Sequence, residues 1–340
     1  MSGFRALKLC AACVPILGLC AAALPDVRYA ITDLNPGAVE WSSGAAINDL
    51  GQAVGRTSAG SGFIYTDGFS HNIPGSYNAN DINNSGDVVG QSALGTYLYS
   101  EGTMTAIGGA SARSINDRGQ IVGIYDTWSG GFASFTTSFF YSNGTMSILV
   151  PTYNDASWAT SLNNNAVVVG GHDGGFYHPS MLVAWPAEKP DGTPYLPSIP
   201  GIAWAINDSD QVVGSLETGH AFLYSDGIML DLGTLGGGGS GAWNINEHGQ
   251  VVGLSYTASG EEHAFLYSDG VMSDLNAMIP GDSGWTLLEA ADINENGQIV
   301  GKGIAPNGRQ HAFLLTPVPE PATLSLLALG GLAVIRRRRE

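Results

Sequence analysis

The chain has 340 residues, 44 % of them hydrophobic, only 13 % charged and 48 of them glycine, with a formal net charge of −17 at pH 7. So little charge and so much glycine suit short strands joined by tight turns and argue against a helical protein, whose solvent faces need charged residues. Six of the 13 basic residues (Arg5, Lys8 and Arg336 to Arg339) sit at the ends, so the body sets seven basic residues against 29 acids, a balance that repels phosphate and excludes nucleic acid as an expected partner.

Residues 1–23 carry Arg5 and Lys8, an apolar run through Leu19 and the small-residue stretch Ala21-Ala22-Ala23. This pattern predicts a Sec-type signal peptide handled by the Sec translocon, with cleavage after Ala23. Cys20 offers a lipoprotein alternative, but Leu19 precedes it where a small residue is wanted. With Cys10 and Cys13 also in this segment, the body has neither a disulfide nor a thiolate.

A lone strand is predicted next, over 29–34. After it, the sequence Ile-Asn, a short variable turn and Gln-Val-Val-Gly recurs seven times in variant forms. Its asparagines are Asn48, Asn83, Asn116, Asn163, Asn207, Asn246 and Asn294. Spacings of 33 to 48 residues mean one supersecondary unit copied in series. The fullest unit reads as strands over 204–207, 211–214, 220–224 and 228–232, with turns at 208–210 and 225–227. Asp-Gly or its equivalent stands at the second hairpin tip of each of six units, as in Asp226-Gly227 and Asp269-Gly270. Such a sheet cannot bury both faces alone and must stack on neighbours, in a closed ring or an open solenoid. The seventh unit runs into Pro317 and lacks its fourth strand, while the orphan strand at 29–34 matches the missing type. That pairing predicts an all-β, seven-bladed β-propeller of four-stranded antiparallel blades, 28 strands in all, its last blade closed by the N-terminal strand.

The repeated asparagines are expected to cap their own hairpins. Asp81 to Asp87 and Asp292 to Gly297 have the alternating oxygens of half a calcium loop. Each lacks the closing Glu, with Ser92 and Gly303 at that position, so ordinary turns and no metal are expected. The units joined by 47 and 44 residues carry insertions, Tyr125-Asp126-Thr127-Trp128 onward to Thr137 and 171–178. Both insertions are expected to emerge on one side of the ring, with Trp158 and Trp285 near that side. The candidate ligand-binding residues there are Tyr125, Asp126, Trp128, His172, Asp173, Tyr177 and His178, an aromatic and polar set suited to stacking on sugars. The bland alternative is that these aromatics merely cover the rim. No nucleophile elbow, His-Glu-x-x-His, Cys nucleophile or phosphate loop is present, and no cofactor is expected.

At His220-Ala221-Phe222, His263-Ala264-Phe265 and His311-Ala312-Phe313 the chain resembles the bacterial extracellular HAF-repeat family. The first four repeats depart from the triplet. The resemblance implies a secreted repeat protein and brings no activity with it. One histidine per blade cannot share a metal ion with the next, so a packing or hydrogen-bonding role is expected.

The C-terminus has three parts: Val318-Pro319-Glu320-Pro321, an apolar stretch over 322–335, and Arg336, Arg337, Arg338 and Arg339. It resembles the PEP-CTERM sorting signal of Gram-negative bacteria. The resemblance implies that Pro319, Glu320 and Pro321 are read by exosortase, a membrane protease-transpeptidase. The apolar stretch would form a hydrophobic helix that holds the chain transiently in the inner membrane, and the arginines would stay cytoplasmic. At about 1.5 Å per residue that stretch is short of a ~30 Å hydrocarbon core. Such a weak span suits a transient anchor, the alternative being a permanent one.

The expected domains are 1–23 signal peptide, 24–317 propeller and 318–340 sorting signal with membrane segment 322–335. The expected role is a non-catalytic protein of the cell surface or extracellular matrix, with exopolysaccharide as a partner. The rival is an extracellular glycosidase or lyase with paired carboxylates at the channel.

Overall fold

The computed structural model describes residues 28–34, 40–109, 111–127, 135–149, 157–172, 181–186, 196 and 200–318. The expected signal peptide and C-terminal helix lie outside these residues. Among the described residues no helix is long and apolar enough to cross a membrane.

Within each repeat, strands pair in sequence order. Blade 1 is Ser42–Ile47, Ala53–Thr57, Gly62–Thr66 and Phe69–Asn72. Blade 5, read from sequence as the fullest unit, is Gly201–Ile206, Val212–Leu216, Ala221–Ser225 and Ile228–Gly233. Seven sheets result, built from 27 strands among the described residues. Six have four strands. Blade 4 has three, Ser157–Leu162, Val168–His172 and Met181–Trp185, and most of the stretch leading from it to blade 5 lies outside the described residues.

The ring closes as the lone N-terminal strand implies. Tyr29–Asp33 pairs antiparallel with Gln310–Pro317, in register from Tyr29 opposite Pro317 to Asp33 opposite Phe313, and becomes the fourth strand of blade 7. Blade 7 also bonds to blade 1, through Ala312 N–H to Ser42 Oγ at 2.9 Å and Ile47 N–H to Asp292 at 2.7 Å. An open solenoid is thereby excluded.

The repeated Gln-Val-Val-Gly has a physical reading residue by residue. Successive side chains of a strand face opposite sides of the sheet, so its two apolar residues enter different blade interfaces. Val88 of blade 2 packs with Ala46 and Val54 of blade 1, whereas Val89 packs with Ala112, Ile115 and Phe139 of blade 3. The same division recurs at Val212 and Val213, and the hydrophobic core is therefore seven interfaces rather than one centre. Burying each such side chain contributes about 1.5–3 kcal/mol.

The glycine of the motif is needed for close approach. In every blade the first strand carries a bulge just ahead of it, as at Ala203/Ala205 opposite Gly214. A Cβ on Gly214 would lie 2.1 Å from the Ile202 carbonyl oxygen and 2.8 Å from the Phe222 ring. Gly214 is paired across the sheet with that same Phe222, the aromatic of the His-Ala-Phe triplet. The pairing recurs as Gly55 with Phe63, Gly90 with Tyr97, Gly123 with Phe139, Gly253 with Phe265 and Gly301 with Phe313. The aromatic ring covers the bare glycine backbone and is fully buried in each case.

Gly214→Ala is expected to destabilise the fold by about 1–3 kcal/mol through overpacking. Gly238→Ala, where an added Cβ meets nothing within 4 Å, should be neutral. Chemical denaturation of the two variants checks the contrast.

Candidate functional sites on the two sides of the ring

Alternating hairpins give the propeller two different sides. The Asn turns and the Asp-Gly turns lie on one, while the connections between second and third strands, and between blades, lie on the other.

On the turn side the asparagines do more than cap hairpins. Each Oδ1 accepts the main-chain N–H four residues on, at 2.9 to 3.0 Å, as the sequence expectation requires. Each Nδ2 also donates to the main-chain oxygen of the corresponding Asn in the next blade. The chain of bonds runs from Asn48 to Asn83 and on to Asn294, which closes the circle on Asn48, with lengths of 2.9 to 3.1 Å. Five of the seven also donate to the Gln that opens the motif's second half, as Asn246 does to Gln250 at 2.9 Å. All seven are at most 6 % exposed.

A second circle lies one residue further on. The main-chain N–H of Asp49, Asn84, Asp117, Asn164, Asp208, Glu247 and Glu295 donates to the side-chain oxygen of the next member, at 2.5 to 2.9 Å. These groups rim a polar cavity of about 250 Å³ at the channel mouth. Its acids are held in place by hydrogen bonds, and the lining holds no aromatic residue.

Two carboxylates sit deeper in that cavity. Asp292 accepts from Ile47 N–H and Ile293 N–H at 2.7 Å each, and Asp81 accepts from Ile115 N–H and Ile82 N–H at 2.8 Å each. Burial, then the charge of Asp81, pushes Asp292 up to about 7, against the pull of its two N–H partners. Burial likewise raises Asp81 to about 6, although its side chain keeps some surface open to the channel. Asn244 holds the same position in blade 6 and accepts from Ile245 N–H at 2.6 Å, a neutral version of the contact. The calcium-like runs thus spend these oxygens on backbone N–H groups, and among the described residues no group of three acidic, His or Cys residues is placed to hold a metal.

The triplet histidines form pairs, not a cluster. His220, His263 and His311 bond through Nδ1 to Asp231, Asp274 and Asp33 at 2.9, 2.7 and 2.7 Å. Each ties the third strand of its blade to the fourth. For His311 the partner comes from the closing N-terminal strand, so this pair fastens the ring.

On the opposite side a cleft of about 720 Å³ lies between blades 5 and 6. Blade 6 enters it through the strand Gly236–Ile245, whose glycines let the backbones approach closely. A Cβ on Gly239 would lie 3.0 Å from the Gly219 oxygen, and one on Gly241 would lie 2.8 Å from the Trp243 ring. Trp243 lines the cleft and meets Trp204 edge-on, with ring centroids 5.4 Å apart. Tyr256 is 38 % exposed and donates its hydroxyl to Glu262 at 3.0 Å. Among the described lining residues Glu262 is the one carboxylate.

The structure places the sequence candidates as follows. Tyr125 and Asp126 belong to the strand Ile121–Thr127, paired with Thr137 and Thr136, and His172 ends the strand Val168–His172. Both strands therefore run further than the insertions read from sequence, because cross-strand pairing continues into them. Tyr125 is 37 % exposed. Trp128, Asp173, Tyr177 and His178 lie outside the described residues, as do Pro319, Glu320, Pro321 and Arg336 to Arg339. Trp285 packs edge-on against His311 and Phe313, at 6.4 Å each, and serves blade 7. The cleft of blades 5 and 6 was missed, though its signal was present: four successive glycines in a strand, Gly236 to Gly239, mark close backbone approach.

Comparison with known proteins adds the following. Residues 317–339 match the PEP-CTERM protein-sorting motif. The motif marks the chain as exported and as a substrate of exosortase, its C-terminus anchored in the membrane before processing. No curated protein matches the chain. Among solved structures the chain is similar to Pyrococcus horikoshii acylaminoacyl peptidase, with a TM-score of 0.49 and 11 % identity over 84 % of this chain and 53 % of that one. TolB from Acinetobacter baumannii is similar at a TM-score of 0.37 and 12 % identity, over 83 % of this chain and 65 % of that one. The chain spans less than two thirds of either protein, and likeness at that level says nothing about activity.

Two outcomes test the turn side. Asn246→Asp keeps the turn acceptor but sets oxygen against the Asn294 carbonyl, and should cost about 2 kcal/mol in urea unfolding. A cost near zero would leave Asn with the turn role alone. Asp292 and Asp81 bind protons more tightly folded than unfolded. The stability they add is full below their ordinary value of 3.8 and is lost as pH rises through about 6 and 7. Asp292→Asn should therefore narrow the difference in Tm between pH 5 and pH 8, and an unchanged difference would refute the assignment.

Proposed function

We propose that the protein is an exported, non-catalytic propeller of the HAF-repeat type that works at the cell surface or in the extracellular matrix, where the loop side of its ring binds exopolysaccharide. The observation that carries this reading is the separation of carboxylates from aromatics. The acids gather at a polar channel mouth, each held by backbone N–H groups, while the aromatic cleft on the other side holds one carboxylate among its described residues. Glycoside hydrolysis needs two carboxylates flanking one bound sugar, so this division favours binding over turnover. Residues 1–23 act as the signal peptide, 24–317 as the working domain, and 322–335 as the membrane segment that exosortase releases after reading Pro319 to Pro321. The rival, a glycan-cleaving enzyme, would place its acids with Asp81 and Asp292 in the channel.

Replacing Pro319-Glu320-Pro321 by three alanines should keep the protein in the inner-membrane fraction and remove it from the outer surface, read by fractionation and immunoblotting. Surface display unaffected by the replacement would sink the sorting role. New reducing ends from polysaccharide incubated with purified protein, lost in Asp292→Asn, would favour the enzyme.

A further inference from the structure

The cleft between blades 5 and 6 has a shape and chemistry that the turn side lacks. Its room comes from missing side chains: a Cβ on Gly239 would lie 3.8 Å from the Tyr256 ring and one on Gly241 would lie 2.8 Å from the Trp243 ring, while Gly238 lines the cleft with open space beside it. The close approach of Gly239 to the Gly219 carbonyl fixes the cleft's width by backbone rather than by mobile side chains. An exposed phenol ring on the blade 6 side is held by its own hydroxyl bond to Glu262, so Tyr256 is oriented before any ligand arrives. That bond engages Glu262 through its Oε1 alone.

An oriented aromatic face beside a carboxylate oxygen, in a shallow glycine-walled cleft, suits a ring with one apolar face and acceptor-seeking hydroxyls on its edge. A pyranose has both: its axial C–H groups stack on an aromatic ring and its hydroxyls donate to a carboxylate. A nucleotide or another phosphate ester fits poorly, because Glu262 lines the cleft and Glu217 lies in the chain between its lining residues Ser215 and Gly219, in a body of seven basic residues against 29 acids. The same charge disfavours sugars that carry uronic acids.

We propose that this cleft is a saccharide subsite for a neutral or amine-bearing pyranose, with Tyr256 as the stacking face and Glu262 as the hydroxyl acceptor. The proposal rests on the surface-binding reading above and names its site and ligand class. It moves that site from the insertions of blades 3 and 4 to the next interface but one, on the same side of the ring.

The cleft can be closed without disturbing the fold. Gly238 lines the cleft, is exposed and has no positive φ, and a Cβ there meets nothing within 4 Å, so Gly238→Phe places a ring at the cleft without a backbone clash. Purified full-length protein would be titrated with cellohexaose, mannohexaose, chitohexaose, a glucosamine hexamer and a hexameric alginate. Calorimetry and tryptophan fluorescence would report binding, the latter through Trp243 at the cleft and Trp204 packed against it. At least one of the first four probes should bind and alginate should not. Gly238→Phe should abolish binding with Tm unchanged, and Tyr256→Ala should weaken it about tenfold. Glu262→Gln should weaken the glucosamine hexamer more than cellohexaose. Binding that survives both Gly238→Phe and Tyr256→Ala would overturn the cleft while leaving the surface-binding reading intact. Binding of none of the five probes would overturn both, and preference for alginate would overturn the ligand class.

Discussion

The structure depends on a bond that each blade makes to the next. A four-stranded sheet of this size has two apolar faces and no means of covering either, so no blade is stable alone. The asparagine side chain resolves the geometry of stacking as well as its energy. Its oxygen holds the turn of its own blade, and its nitrogen reaches the main-chain oxygen of the neighbour, so the angle between blades is set wherever a turn forms. Repeating that step seven times returns to the start, and Asn294 donates to Asn48 as every other member donates to its successor.

The second circle, one residue along, has a different character. Its acceptors are mostly carboxylates, and bonds from main-chain N–H groups hold them in place. An acidic rim can persist there because backbone dipoles offset its charge. Asp81 and Asp292, deeper in the cavity, go one step further: burial raises both above the ordinary carboxylate range, Asp292 the more. The turn side is thus committed to holding the ring together. The loop side carries the longer connections and is free of both circles of bonds.

The division between blades follows the same logic. Blades 5 to 7 carry His-Ala-Phe, with the His tying the third strand to the fourth and the Phe covering the motif glycine. Blades 1 to 3 keep the aromatic and dispense with the His, as at Phe63, Tyr97 and Phe139. The aromatic serves packing, filling the volume above a glycine that cannot bear a side chain, and blade 4 alone sets a Val, Val183, opposite its glycine, Gly170. The His is a supplement, and in blade 7 it supports the one blade whose fourth strand arrives from the other end of the chain.

By itself the sequence determined the repeat, the blade number, the strand order and the source of the closing strand. Each rests on local pattern: alternating apolar residues, turn residues at hairpin tips, and one strand too few at one end and one too many at the other. It also carried the sorting motif, which is a contiguous string. Only the tertiary structure decided that the asparagines link blades as well as capping turns, since their partners stand 33 to 48 residues away, or 246 for the bond that closes the ring. It decided too that in six blades the motif glycine faces an aromatic ring and that Gly238, Gly239 and Gly241 line a cleft between two blades. Those facts belong to pairs of residues distant in the chain, and the packing that joins them cannot be read from either member alone.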